Sequence, residues 1–151
     1  MKRLFCVIFA MMLLLCGCSN YLSPDVAELM NELIETQSLD NMTIADDRAV
    51  EILYGVDLSQ VESYAASYSG KGGYADMIAI FKLVDDADPQ AVSELLTTYK
   101  ENRYEDFKGY APFEAEKVEN GRVLVYGQYA LLLILPDIAA GLETVDKAFK
   151  G

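Results

Sequence analysis

Hydrophobic residues change their spacing several times along this chain. Leu4 to Leu15 is almost wholly apolar and continuous. Val26, Leu29, Met30, Leu33 and Ile34 then recur at helical spacing and predict an amphipathic helix running to about Gln37. Ser23-Pro24-Asp25 ahead of it offers a hydroxyl N-cap, a Pro at the first helical position and an acid in the first turn. Thr43-Ile44-Ala45-Asp46 reads as a capping box for a second helix carrying Ile44, Val50, Ile52 and Leu53, with Gly55 as its stop. Asp57 to Gln60 predicts one further helical turn.

From Val61 the period shortens. Val61 to Ser69 and Tyr74 to Val84 predict two strands joined by Gly70-Lys71-Gly72-Gly73. Asp88-Pro89 opens a long helix to about Gly109, with Val92, Leu95, Leu96, Tyr99, Arg103 and Phe107 along one side. A short strand is expected over Glu116 to Val118, turning at Asn120-Gly121 into a second hairpin. That hairpin comprises Arg122 to Tyr126, Gly127-Gln128, and Tyr129 to Leu135. Leu131 to Leu135 is apolar on both faces and predicts a central strand. Pro136-Asp137 starts a last helix whose Ile138, Leu142, Val145 and Phe149 share a face. The expected fold class is α+β: two N-terminal helices, then two β-hairpin-plus-helix units. These would close as an antiparallel sheet of about four strands, with helices mainly on one face.

The opening run is too short to cross a hydrocarbon core, which needs roughly 20 apolar residues. With Met1-Lys2-Arg3 before it, it has the form of a secretory signal peptide. It ends Leu15-Cys16-Gly17-Cys18, which resembles the lipobox of bacterial lipoproteins. The resemblance implies cleavage between Gly17 and Cys18 and a diacylglyceryl thioether on Cys18, with further acyl chains such as palmitate. Cys16 departs from the pattern, where Ala, Ser, Thr or Val is commoner. The rival reading is an ordinary signal peptide or an uncleaved anchor. Cysteine usage argues against it: Cys6 and Cys16 leave with residues 1–17, and an exported chain keeping one thiol at its first residue is accounted for if that thiol is alkylated. The expected organisation is a removed signal peptide over 1–17, the lipidated Cys and a short tether over 18–22, and one domain over 23–151. Localisation follows: the cell membrane, on its extracytoplasmic face, through two or more acyl chains. Four extended residues, Ser19 to Leu22, reach roughly 14 Å, so the domain should sit close to the lipid headgroups.

Composition narrows the chemistry. The chain of 151 residues has 12 Lys+Arg, 24 Asp+Glu, no His and no Trp, for a net charge of −12. Loss of Lys2 and Arg3 with the leader deepens that to −14. Such a balance argues against nucleic acid, whose phosphates need basic neutralisation. The absence of His excludes Ser-His and Cys-His nucleophiles, His-held metals and His-held haem. No cofactor is implied. Ser69-Gly70-Lys71-Gly72-Gly73 has phosphate-loop composition but lacks the Gly-Lys-Ser/Thr ending and a following helix, so it reads as a hairpin turn. Asp85-Asp86-Ala87-Asp88 and Asp46-Asp47 lack the alternation of a calcium loop and read as solvated turn acids and caps, so no metal is expected. Asn41-Met42-Thr43 matches a glycosylation sequon by chance in a bacterial envelope protein. Tyr64, Tyr68, Tyr126 and Tyr129 form a candidate binding surface for sugar or protein, against the simpler reading that they cover a half-buried sheet.

Beyond the lipobox, Leu53-Tyr54-Gly55-Val56-Asp57 and Asp76-Met-Ile-Ala-Ile-Phe-Lys82 resemble a family of small lipoproteins of Gram-positive bacteria that share one domain of unknown function. Arg103-Tyr-Glu-Asp-Phe107, Tyr110-Ala-Pro112 and Gly127-Gln128-Tyr129 extend the resemblance over roughly Asp46 to Phe149. Members often carry Glu where this chain has Met77. The resemblance implies no catalytic residue, and it implies a genomic neighbourhood that includes envelope acyltransferases. The expected function is a membrane-anchored, non-enzymatic binding or accessory module of the envelope, partnered by an envelope protein or glycan. The alternative is a carboxylate-based hydrolase of envelope glycans, which requires two carboxylates about 5–9 Å apart in a cleft.

Overall fold

A computed structural model describes residues 21–151 of the chain. The expected leader, the expected cleavage site between Gly17 and Cys18, and Cys18 as the expected lipidation site all lie outside the described residues. The described chain is a five-stranded, wholly antiparallel sheet with five α-helices. In chain order these are α1 (Val26–Thr36), β1 (Met42–Ile44), α2 (Asp47–Tyr54), β2 (Val61–Ser69), β3 (Met77–Leu83), α3 (Pro89–Lys108), α4 (Pro112–Asn120), β4 (Arg122–Tyr126), β5 (Tyr129–Ile134) and α5 (Ile138–Lys150), with a 3-10 turn at Leu58–Gln60. The strand order is β1-β2-β3-β5-β4.

Carboxylates, more than hydroxyls, start the helices. Asp25 caps α1 by accepting from the amides of Ala27 and Glu28, in place of Ser23, whose hydroxyl bonds the Tyr129 hydroxyl at 2.7 Å. Asp46 caps α2, Asp88 caps α3 and Asp137 caps α5. The capping box expected at Thr43 is not one. Thr43 and Ile44 belong to β1, pairing with Tyr68 and Ser67, and Ile44 faces solvent. The strand expected over Glu116 to Val118 is helical. Pro112 sits at the start of α4, and Ala115 and Val118, three apart, both bury against the sheet. The expected four strands become five through β1, and the expected four helices become five through α4.

The expectation of helices mainly on one face is also overturned. On β3, Met77, Ala79, Phe81 and Leu83 face α2, α3 and α4, where they meet Val50, Tyr54, Leu96, Phe107 and Val118. The intervening Ile78 and Ile80, with Leu131 and Leu133 of β5, face α1 and α5 and meet Leu29, Leu33, Val145 and Phe149. Two central strands apolar on both sides cannot leave a face to water, so helices cover each. Completely burying each of these Leu, Ile or Phe side chains contributes about 1.5–3 kcal/mol.

Register fixes the two ends of the sheet. Ser69, Met77 and Ile134 lie at the end of the glycine-rich β2–β3 loop; Val61, Leu83, Tyr126 and Tyr129 lie at the end of the β4–β5 turn. The six residue steps of β3 separate them by roughly 20 Å. The first described residues dock at the second end. The Leu22 amide donates to the Phe149 carbonyl at 2.9 Å, and the Tyr21 ring meets Tyr126 edge-on at 5.1 Å. Part of the expected free tether is therefore packed on the fold.

Candidate functional site

A cleft of about 820 Å³ opens at the glycine-loop end of the sheet. Its walls come from three places. Helix α2 contributes Arg48, Ile52 and Leu53; the β2–β3 loop contributes Ser69 to Tyr74; and the second half of α3 contributes Tyr99, Arg103 and Phe107, followed by Tyr110. Tyr68 and Met77 extend from the sheet beneath. Met77 is buried in the cleft floor.

The loop is held at both bases. At Gly70 the amide donates to the Asn41 carbonyl at 2.8 Å, and a Cβ there would lie 2.7 Å from Thr43 Oγ1 and 3.0 Å from the Asn41 oxygen. Glycine is required by that close approach to β1. At the other base, the Ala75 amide donates to Glu114 Oε2 at 2.7 Å. Lys117 Nζ bridges Asp76 at 2.8 Å and Glu114 at 2.9 Å, and all three side chains are less than 20% exposed. Burial alone would lower the Lys117 ammonium, but its bonds to Asp76 and Glu114 outweigh that and hold it above the ordinary lysine value. The segment leads into β3, so it is a hairpin loop and not a phosphate loop.

Charge is distributed unevenly. Among the described residues lining the cleft are three cations, Arg48, Lys71 and Arg103, and one carboxylate, Asp46. Arg103 stacks on Phe107 with its guanidinium 4.5 Å from the ring centroid, and its buried Nε has no hydrogen-bond partner. Its nearest acid, Asp106, is 4.0 Å away. Below the cleft the Tyr54 hydroxyl is also buried without a partner, its ring 5.0 Å from Tyr99. Burial, then the neighbouring Tyr99 and Tyr68 hydroxyls, push its pKa far up against the opposing charge of Arg103.

The four tyrosines singled out by sequence do not form one surface. Tyr64 and Tyr68 share the face toward α2 and α3. Tyr68 lines the cleft, whereas the Tyr64 hydroxyl donates to Asp47 and its pKa is pushed up to about 12 by burial and that bond. Tyr126 and Tyr129 are buried on the opposite face against Phe149. The Tyr126 hydroxyl donates to Asp146, and the Tyr129 hydroxyl reaches the Pro24 carbonyl at 3.0 Å. Asp85 and Asp86 are exposed in the turn after β3, and Asp88 is engaged as a cap. Among the described residues no group of three or more acids or cysteines is placed to hold a metal ion. No helix among them is long and apolar enough to cross a membrane.

Residues 35–135 match the family described as Domain of unknown function (DUF4358). The chain belongs to this family. Comparison with curated proteins and with solved structures returned no match. The DUF4358 segment contains all five strands, α2 to α4 and every residue lining the cleft. Almost all of α1 and the whole of α5, which cover the second face, lie outside it. Sequence reasoning passes over Arg48, dismisses Lys71 with the hairpin turn, and gives Tyr74, Tyr99 and Tyr110 no binding role. The one signal available was a handful of cations in a strongly acidic chain, and nothing in their spacing shows that they converge.

Proposed function

We propose that this DUF4358 protein is a lipid-anchored binding module of a Gram-positive cell envelope, tethered through Cys18 at the outer face of the cytoplasmic membrane. The cleft is its ligand site, turned away from the bilayer. The supporting observation is the position of the cleft relative to the start of the fold. Tyr21 and Leu22 pack at the β4–β5 end, and the cleft opens at the other end, roughly 20 Å along the sheet. Three residue steps from Cys18 to Tyr21 span at most roughly 10 Å, so an acylated Cys18 fixes which end of the domain meets the headgroups. This cleft offers no paired carboxylates to a hydrolase, because Asp46 alone among its described lining residues carries a carboxylate, and it is engaged with the Ala49 amide.

The test uses the lipidated protein in liposomes. Fatty-acid incorporation should vanish in Cys18→Ala, and incorporation that survives removes the anchor. A fluorophore on Lys147→Cys, in the last turn of α5, should be quenched by bromolipids, while one on Gly72→Cys in the loop should not. Equal quenching at both sites would defeat the orientation.

A further inference from the structure

We infer that the cleft takes an anionic ligand, a phosphate or carboxylate carried on a saccharide or polyol. This rests on the reading of the cleft as the binding site and adds the chemistry of what enters it. The described chain has 10 Lys+Arg against 24 Asp+Glu, yet the cleft wall inverts that balance. Pairing sharpens the point. Lys82, Lys108, Lys117 and Lys150 are matched to acids, and Lys100 and Arg122 donate to backbone carbonyls. Among the described residues, Arg48, Lys71 and Lys147 have no acid or carbonyl partner, and Arg103 has only a loose contact with Asp106 at 4.0 Å that leaves its buried Nε unpartnered; three of these four line the cleft. In a protein with acids to spare, two unmatched cations and one loosely paired guanidinium gathered in one concavity point to a partner that is not part of the fold.

The three come from different walls: Arg48 from the first turn of α2, Lys71 from the glycine loop and Arg103 from α3. A ligand between them would be contacted from three sides. Two are guanidiniums, whose planar forks suit the paired oxygens of phosphate or carboxylate. The unpartnered Nε–H of Arg103 is a donor already desolvated, and an oxyanion would satisfy it. Around the charges stand Tyr68, Tyr74, Tyr99 and Tyr110, with Tyr74 and Tyr110 substantially exposed. Rings and hydroxyls of that kind receive the faces and hydroxyls of a sugar or polyol. The volume, about 820 Å³, is within the range of small-molecule sites. Nucleic acid does not fit, since three cations on a surface carrying 24 acids cannot neutralise an extended phosphate backbone.

The experiment is calorimetric titration of the full-length mature lipoprotein in neutral detergent with glucose 6-phosphate, glucuronate, glucose and glucosamine. At least one anionic probe should bind ten-fold or more tightly than glucose. The double variant Arg48→Gln/Lys71→Gln should lose ten-fold or more of that affinity. Both side chains are exposed, so the melting temperature should hold. Lys147→Gln, which removes the unmatched cation outside the cleft, should leave affinity unchanged. Equal loss from Lys147→Gln, or none from the double variant, overturns the inference. If glucose or glucosamine binds best and Tyr74→Ala abolishes that binding, the cleft remains the site and its anionic character is refuted. If no probe binds, both the ligand class and the use of the cleft for small glycans fall. Vesicles rich in anionic lipid, added in competition, should not displace the sugar probe; displacement would reassign the oxyanion to a lipid headgroup.

Discussion

Replacing Lys117 with Met removes the cation that ties the glycine loop to α4. The ammonium contacts Asp76 at 2.8 Å and Glu114 at 2.9 Å, with side-chain exposures of 16, 12 and 17% for Lys117, Asp76 and Glu114. At an effective dielectric constant of about 20, each contact corresponds to roughly 6 kcal/mol of attraction. Desolvation of three charges cancels most of that, so the intact triad adds little net stability over an apolar substitute. Removing only the lysine is different. It leaves two carboxylates close together, both largely shielded from water, and such a break typically costs about 3–5 kcal/mol. Partial exposure lets solvent relieve some of the repulsion, and about 3 kcal/mol is expected here. For a domain of this size that is a fall in Tm of roughly 10–15 °C. Urea denaturation of Lys117→Met should show the loss as a shift in midpoint at constant slope. The triple variant Asp76→Asn/Lys117→Met/Glu114→Gln, with no charge left to strand, should recover most of it. A loss below about 1 kcal/mol in the single variant, or a triple variant no better than the single, would refute the account. Amide exchange at Tyr74 to Asp76 should quicken only in the single variant, since the Ala75 amide is bonded to Glu114 itself.

Stability should fall as pH rises from about 10 to about 12. Tyr64 is held near 12 in the fold and keeps its proton there, while the unfolded chain releases it from about 10, so the folded state loses ground across that window. Tyr126 and Tyr54, both raised first by burial, act in the same sense, and Tyr64→Phe should flatten the early part of the decline in a Tm-versus-pH series. An unchanged profile would show that the Tyr64–Asp47 contact does not govern its titration. Gly70→Ala should destabilise by about 1–2 kcal/mol, because the added methyl meets both Thr43 and the Asn41 carbonyl. Faster exchange of the Gly70 amide would mark the detachment of β1 from the loop, and an unaltered Tm would count against the close approach.

Much of the fold is legible where one local rule acts alone. Asp88-Pro89 marks the start of α3, and the ranges read for β2 and β4 coincide with those observed. Reading fails where two rules compete over few residues. Thr43-Ile44-Ala45-Asp46 satisfies a capping pattern, but a three-residue edge strand carries no periodicity of its own, and pairing with β2 decides its state. The strand expected over Glu116 to Val118 leans on the Asn120-Gly121 turn signal; α4 is short and buries only one narrow stripe, Ala115 and Val118, so its helical spacing carries little signal. The second helical layer was implicit in Leu131 to Leu135, since a strand apolar on both sides needs cover on both. The cleft was not legible. Arg48 and Arg103 meet only because α2 and α3 lie over the same sheet face. Arg103 reads from sequence as part of the apolar side of a helix, which its stacking on Phe107 explains.

The boundary of the DUF4358 match does not coincide with the boundary of the folding unit. Residues 35–135 carry the cleft and one finished face of the sheet, but the other face, Ile78, Ile80, Leu131 and Leu133, is covered by α1 and α5 from outside that span. A fragment cut to the match would expose those four side chains together with Tyr129. Contiguous apolar surface of that kind drives association in a soluble domain. The two flanking helices thus complete the core. The last of them also holds the first described residues: the Leu22 amide donates to the Phe149 carbonyl, and Tyr21 packs on Tyr126 of β4, which stacks on Phe149 at 4.5 Å. One helical layer walls the cleft, and in the proposed attachment the other would set how the tethered domain points it. If the proposed roles hold, the cleft residues on α2, the loop and α3 can vary without disturbing the contacts of Tyr21 and Leu22, because the two sets of contacts share only the sheet between them.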